Sequence, residues 1–232
     1  SRLGMILPDQ FIPLAEQFGL ATELARFVFD KGMATLAGWQ ANPSTAHLRL
    51  ALNVSVQCFA SDNFIPLASK LIAKHCIDAT RLTFELTEHV MAKDHERIAG
   101  RMDEVKRLGV RLSLDDFGTG YSSLAYLKQL PFDEVKIDGG FVADIETTES
   151  DRALVKTILA MARTLGLTAV AEHVENVRQE AFLRAFGCDY FQGFLYSRAV
   201  PAEKFLTLLD GPPVHVAADH AGPPLRSATG SG

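Results

Sequence analysis

The sequence has 232 residues, 47% hydrophobic and 22% charged, a balance that excludes disorder over most of its length and leaves enough chain to bury a core. Lysine and arginine total 23 against 28 acids, and the resulting formal charge of −5 has the wrong sign for a protein that grips polymeric DNA or RNA. No apolar run reaches the roughly 18 residues of a membrane span, no secretory signal opens the chain, and Cys58, Cys76 and Cys188 are too few and too widely spaced for a disulfide framework or a zinc site.

Those exclusions point to a cytoplasmic compartment and reduced thiols. In chain order, helical spacing begins with a short segment after Pro8 and a longer one from about Thr22 to Trp39. The first strand is Leu48–Val54, followed by a helix over Phe64–Cys76 and a second strand at Arg81–Leu86. A helix over His95–Leu108, closed by Gly109, leads into a third strand, Val110–Asp115. The loop Asp116–Leu124 and a helix over Ser122–Gln129, capped by Ser122 or Ser123, precede a fourth strand, Glu134–Ile137. A helix over Arg152–Leu165, capped by Asp151 and ended by Gly166, leads to a fifth strand, Leu167–Ala171. A helix over Val177–Phe186, a sixth strand at Tyr190–Leu195 and a helix over Ala202–Leu209 complete the series.

The strands read as nearly continuous apolar runs, the pattern of a parallel sheet covered on both faces. Strand followed by helix, six times over, predicts an α/β protein of either the open doubly wound or the TIM-like (βα)8 type. A closed barrel needs eight strands, so the count predicts either an open sheet or a barrel whose first strands are missing. From Asp210 the composition turns to Gly, Pro, Ala and His, so residues 210–232 read as a disordered tail or linker after a domain over 1–209.

Polar residues fall at the C-terminal edge of nearly every predicted strand: Asn53; Glu85, with Glu88 beyond; Asp115 and Asp116; Lys136 and Asp138; Glu172, with Glu175 beyond; and Gln192. In α/β sheets and barrels that edge binds ligands. Taken singly, Asn53 and the Asp115–Asp116 pair also suit turns or caps. Lys136, inside an apolar run, has to be paired or functional. Several carboxylates and one amide, without converging Cys or His, favour a hard cation: Mg²⁺, Mn²⁺ or Ca²⁺. Adjacent aspartates can share two ions, the arrangement used for in-line hydrolysis of phosphate esters, with Lys136 near water or phosphate. The loop Asp116–Leu124 adds backbone N–H groups for an anion. The seven histidines are dispersed, and none is assigned a metal.

The segments NVS (Asn53–Ser55), FELTE (Phe84–Glu88), LDDFGTGYSSL (Leu114–Leu124), KID (Lys136–Asp138), AEHVE (Ala171–Glu175) and QGF (Gln192–Phe194), with the opening FIPLAEQFGL and the late SRAVP, strongly resemble the EAL domain family from about Gly4 to Leu209. The resemblance implies a modified (βα)8 barrel with one antiparallel strand, incomplete at the N-terminus in this chain. It also implies hydrolysis of cyclic di-GMP to linear pGpG, with two Mg²⁺ or Mn²⁺ ions as cofactors and Ca²⁺ as an inhibitory substitute. By the same resemblance, Asn53, Glu85 and Asp115 hold one ion, while Asp115, Asp116 and Glu172 surround the other. Lys136 and Glu172 serve the attacking water with Asp138 in support. Glu88 holds the glycine-rich loop, and Glu175 and Gln192 lie near metal-bound water and substrate.

Three departures accompany the likeness. The namesake Glu-Ala-Leu segment is absent, which predicts a lost carboxylate ligand, an unpaired strand near Leu48–Val54 and weak activity. The family's AEGVE reads AEHVE, placing His173 where a glycine stands, and its KIDRSFV reads KIDGGFV, placing Gly139 and Gly140 where arginine and serine stand. Expected partners are cyclic di-GMP, a second copy in a homodimer, and flanking sensory or GGDEF-type domains. Two alternatives stand beside hydrolysis: a non-catalytic EAL module binding cyclic di-GMP or a protein partner as a signalling receptor, and a barrel enzyme abstracting a proton with lysine and Mg²⁺.

Overall fold

The computed structural model describes residues 8–92, 95–118 and 124–209. Helices α1 (Pro8–Gln17) and α2 (Ala21–Gln40) precede β1 (Leu50–Asn53), α3 (Val56–Ala60), α4 (Phe64–His75) and β2 (Leu82–Thr87). Then come α5 (His95–Arg107), β3 (Arg111–Phe117), α6 (Leu124–Gln129), β4 (Glu134–Ile137) and α7 (Gly139–Ala143). The last part holds α8 (Glu149–Leu165), β5 (Thr168–Ala171), α9 (Val177–Ala185), β6 (Tyr190–Phe191) and α10 (Ala202–Leu209). Among the described residues no helix is long and apolar enough to cross a membrane. The expected caps Ser122 and Ser123, most of the glycine-rich loop and the expected tail lie outside the described residues.

The six strands stand side by side in sequence order, and every neighbouring pair is parallel. A doubly wound sheet reverses its strand order at a switch point; this one does not, and it curls into a half-barrel. The architecture is therefore the TIM-like barrel in incomplete form. The antiparallel strand implied by the resemblance is not among the six, and β1 and β6 are the edges.

Register corrects one expectation. Glu85 pairs with Ser113, Ser113 with Glu134, and Lys136 with Val170, so these residues share a face. The strands are not continuous apolar runs but alternate: Leu82, Phe84, Leu86, Leu112, Leu114, Val135, Ile137, Ala169 and Ala171 point outward into the core. Thr83, Glu85, Ser113, Asp115 and Lys136 point inward and are buried as well. Both faces are covered, but only one is apolar, because helices cover the outside and the curled sheet covers its own inside.

Against the outer face, Phe84 stacks on Phe29 of α2 at 5.6 Å and meets Phe64 of α4 edge-on at 5.3 Å, all three rings buried. Gly166 ends α8 in the left-handed conformation, as its position predicted. Asp151 does not cap that helix: α8 begins at Glu149, and Glu149 and Asp151 sit in its first turn, where carboxylates suit the positive end of the helix dipole. The short helices α3 and α7 escape periodicity because each has only five residues; Ser55 and Asp138 cap them by accepting from the amides of Cys58 and Gly140.

The sixth strand is shorter than expected. After Phe191 the chain leaves the ladder and bonds the segment beyond β5, with Val174 N donating to Gln192 O and Leu195 N to Val174 O. That turn needs a glycine: a β-carbon on Gly193 would lie 2.2 Å from Val174 O and 2.3 Å from Val174 N. Gly193→Ala is therefore expected to lower stability by about 1–3 kcal/mol. Gly100→Ala, in mid-α5 with nothing within 4 Å, is expected to raise it by about 0.5–1 kcal/mol. Equilibrium denaturation of the two variants checks both signs, and a Gly193→Ala protein as stable as the parent would refute the close packing.

Candidate functional site

Lys136 is the hub of the inner face. Its Nζ lies 3.1 Å from Glu85 Oε1, 3.0 Å from Asp115 Oδ1 and 2.7 Å from Glu172 Oε1, drawing together β2, β3, β4 and the residue after β5. Burial works against the ammonium's charge. The charge of Glu85, the hydrogen bond and charge of Glu172 and the charge of Asp115 outweigh it, so Lys136 is held above the ordinary lysine range. Burial, opposed by Lys136 and aided by Asp115 and Glu172, pushes Glu85 up. The register explains the meeting: Glu85, Asp115 and Lys136 lie on one face, and the Glu172 amide bonds Ile137 O at 3.2 Å, holding the two strand ends together.

Asp115 and Asp116 are neighbours in sequence, and a regular strand would send them to opposite faces. The ladder between β3 and β4 shifts register between Leu114 and Phe117, and Asp116 takes φ 56°. This irregularity turns Asp116 back toward Asp115. As a result one ligand oxygen each from Asp115, Asp116 and Glu172 lies within 4.8 Å of the others. Burial, then the charges of Asp115, Asp138 and Glu172, raise the Asp116 pKa. Glu85, Asp115, Asp116 and Glu172 face one ammonium, so when all are ionised four negative charges meet one positive and three are left over. An all-oxygen donor set with that surplus fits a hard divalent cation.

The other expected residues surround this cluster. Asn53 ends β1 in register with Glu85, on an exposed edge. Glu88 is buried in the turn after β2, and its Oε2 accepts from Gly118 N at 3.2 Å, on the first glycine of the glycine-rich loop. Asp138 caps α7 and acts on Asp116 through its charge. Glu175 and Gln192 line an open cleft of about 660 Å³ between the edge strands, with Glu172 and His173 on the same wall. Among the described residues no side-chain hydrogen bond joins Asn53, Glu175 or Gln192 to the Lys136 group. The cleft also takes in Arg49, Phe194 and Arg198, which strand-end reasoning did not single out, with the Arg198 guanidinium 4.3 Å from the Phe194 ring centre. The signal for Arg198 was its place in the SRAVP segment.

A family model described as EAL domain matches residues 1–199. The chain is 38% identical over 203 residues to the bifunctional diguanylate cyclase/cyclic di-GMP phosphodiesterase MucR of Pseudomonas aeruginosa, covering 88% of this chain and 30% of that protein. It is 35% identical over 198 residues to the signaling protein YkoW of Bacillus subtilis, covering 85% and 24%. The chain thus spans less than a third of the length of either relative. It superposes on the PaMucR phosphodiesterase in a c-di-GMP complex with TM-score 0.83 at 38% identity, covering 86% of this chain and 81% of that one. On the EAL domain of Mycobacterium smegmatis DcpA the TM-score is 0.77 at 34% identity, covering 82% and 86%.

Removing one partner from a buried charge cluster strands the rest. Lys136→Met is expected to destabilise the chelated protein by about 3–5 kcal/mol. Added Mn²⁺ should raise the melting temperature of the variant more than that of the parent, because an ion replaces the lost positive charge. Thermal unfolding with and without chelator checks this, and a variant as stable as the parent in chelator would show that Lys136 does not offset the carboxylates.

Proposed function

The chain belongs to the EAL domain family, and from that membership we propose that it opens cyclic di-GMP to linear pGpG by metal-dependent hydrolysis. The observation that carries this reading is the meeting of Lys136 with Glu85, Asp115 and Glu172, beside Asp116, at the C-terminal edge of the sheet. Similarity to MucR, whose name and complex specify cyclic di-GMP, supplies the substrate.

Two divalent ions, Mg²⁺ or Mn²⁺, are the group this donor set would hold, through Asn53, Glu85, Asp115, Asp116 and Glu172. Bound there, they neutralise the surplus negative charge and polarise the phosphodiester. Lys136 donates to the carboxylates around it and so fixes their directions, while its ammonium offers positive charge to the phosphate as charge builds up in the transition state. Glu172 Oε1 accepts from Lys136 Nζ, which leaves Oε2 to take the proton of the attacking water. The water oxygen bonds to phosphorus, one P–O ester bond breaks, and the departing sugar oxygen takes a proton from solvent to leave as a hydroxyl, while Glu172 returns to solvent the proton it took. Asp138 supports Lys136 from the end of β4, where its carboxylate also caps α7 by accepting from the Gly140 amide. Glu88 restrains the glycine-rich loop through the Gly118 amide, and Glu175 and Gln192 present polar atoms to the ligand from the cleft wall. In the whole protein, flanking sensory or GGDEF-type domains would control access to this site, and the name of MucR, a bifunctional diguanylate cyclase and phosphodiesterase, supports the cyclase neighbour.

Chromatographic detection of pGpG from cyclic di-GMP with Mg²⁺ or Mn²⁺ tests the reading. Asp115→Asn should lower kcat/KM by at least ~100-fold, since it removes an oxygen shared by the cluster. Near-normal turnover by that variant at saturating metal would refute the two-ion assignment. Glu88→Ala should lower turnover by about 10–100-fold while the far-ultraviolet spectrum stays unchanged, because it acts through the loop. Binding of cyclic di-GMP without release of pGpG would make the chain a receptor instead.

A further inference from the structure

Two of the positions that depart from the family pattern, 139 and 173, are neighbours in space. His173 follows Glu172 at the end of β5, and Gly139 is the buried first residue of α7, just past β4. Any β-carbon at 139 would lie 2.1 Å from His173 Nδ1, 2.3 Å from Cγ and 2.7 Å from Cβ, separations that nonbonded atoms do not reach. The imidazole therefore occupies the space where a side chain at 139 would begin. His173 also holds φ 53°, in the left-handed region that favours glycine. Two unfavourable choices, a histidine with positive φ and a glycine at the start of a helix, make sense only together.

The ring's other edge has a use. Nδ1 and Cγ turn toward Gly139, so Nε2 lies on the far side of the ring. His173 is exposed and lines the cleft with Glu172, Glu175 and Gln192. Among the described residues neither ring nitrogen has a hydrogen-bond partner. A flat aromatic ring with one N–H complements a purine base, by stacking and by donating to a ring or carbonyl acceptor.

We infer that His173 is a specificity-determining residue that contacts a guanine base of the cyclic dinucleotide from the cleft wall, and that glycine at 139 is what admits its ring. The base contact rests on the cyclic di-GMP reading above; the steric pairing does not. The pairing predicts strong non-additivity in a double-mutant cycle. Gly139→Arg alone should lower the melting temperature by about 3–10 °C, since overpacking must shift either the ring or the start of α7. Adding His173→Gly to that variant should restore most of the loss.

The base contact predicts a split between binding and turnover. His173→Gly should raise KM for cyclic di-GMP about tenfold, the worth of one lost hydrogen bond, with kcat changed less than twofold. The dissociation constant measured calorimetrically with Ca²⁺ in place of Mg²⁺ should rise in parallel. His173→Asn, which tolerates positive φ and keeps an N–H donor, should recover part of the affinity. Additive melting shifts in the cycle would overturn the pairing. A His173→Gly chain with unchanged KM and dissociation constant would overturn the base contact. A parent chain that neither binds nor cleaves cyclic di-GMP would instead overturn the functional reading, while the melting cycle would still decide the pairing.

Discussion

A buried ammonium has to be compensated, and that requirement organises the inner face of this half-barrel. Lys136 meets carboxylates from β2, β3 and the end of β5 within 3.1 Å. A one-residue slip of β4 would turn Lys136 outward among Leu114, Ala169 and their neighbours, where nothing could pair it. The charge cluster thus selects one register for β2 through β5. It contributes little net stability, since desolvation offsets much of the attraction. It also carries more negative charge than the lysine can neutralise, and that surplus suits a cation-binding centre better than a structural ion pair.

Much of this arrangement was legible before the structure. Five of the strands fall within about two residues of their predicted positions, because Val, Ile, Leu and Thr runs bounded by Gly, Asp and helical spacing leave few other readings. A lysine in such a run needs partners, and three of them, Glu85, Asp115 and Glu172, stand at neighbouring strand ends in the sequence itself. The face assignment was not read correctly. In Leu82–Thr87 the order Leu-Thr-Phe-Glu-Leu-Thr alternates strictly, yet the apolar residues alone look continuous enough to suggest a sheet apolar on both sides. Nor did the pattern decide between open sheet and barrel, since βα alternation does not encode the spatial order of strands.

What escaped the sequence entirely depends on backbone irregularity and on contacts between distant segments. The convergence of Asp116 with Asp115 requires a register shift and a left-handed residue, neither of which a run of letters specifies. Asp116 and His173 are two of the three non-glycine residues with positive φ among those described, and both sit at the ligand-facing edge. Backbone strain gathered at a site of this kind re-aims side chains that regular strands would point elsewhere. Gly139 and His173 each looked like an isolated departure because their contact spans two βα units.

The cleft is bridged at one end by the Trp39 and Phe205 rings, 5.6 Å apart, which join α2 to α10. These helices lie far apart in the described chain, so the contact closes a long loop at an entropic cost that local contacts do not carry. Helix α10 has no buried residue, and Leu208 and Leu209 face solvent. Its detachment would leave the six-stranded sheet and the Lys136 cluster untouched. Helix α10 is thus held without a single buried side chain, the property of a segment whose amides exchange with solvent before those of buried strands such as β2 and β3.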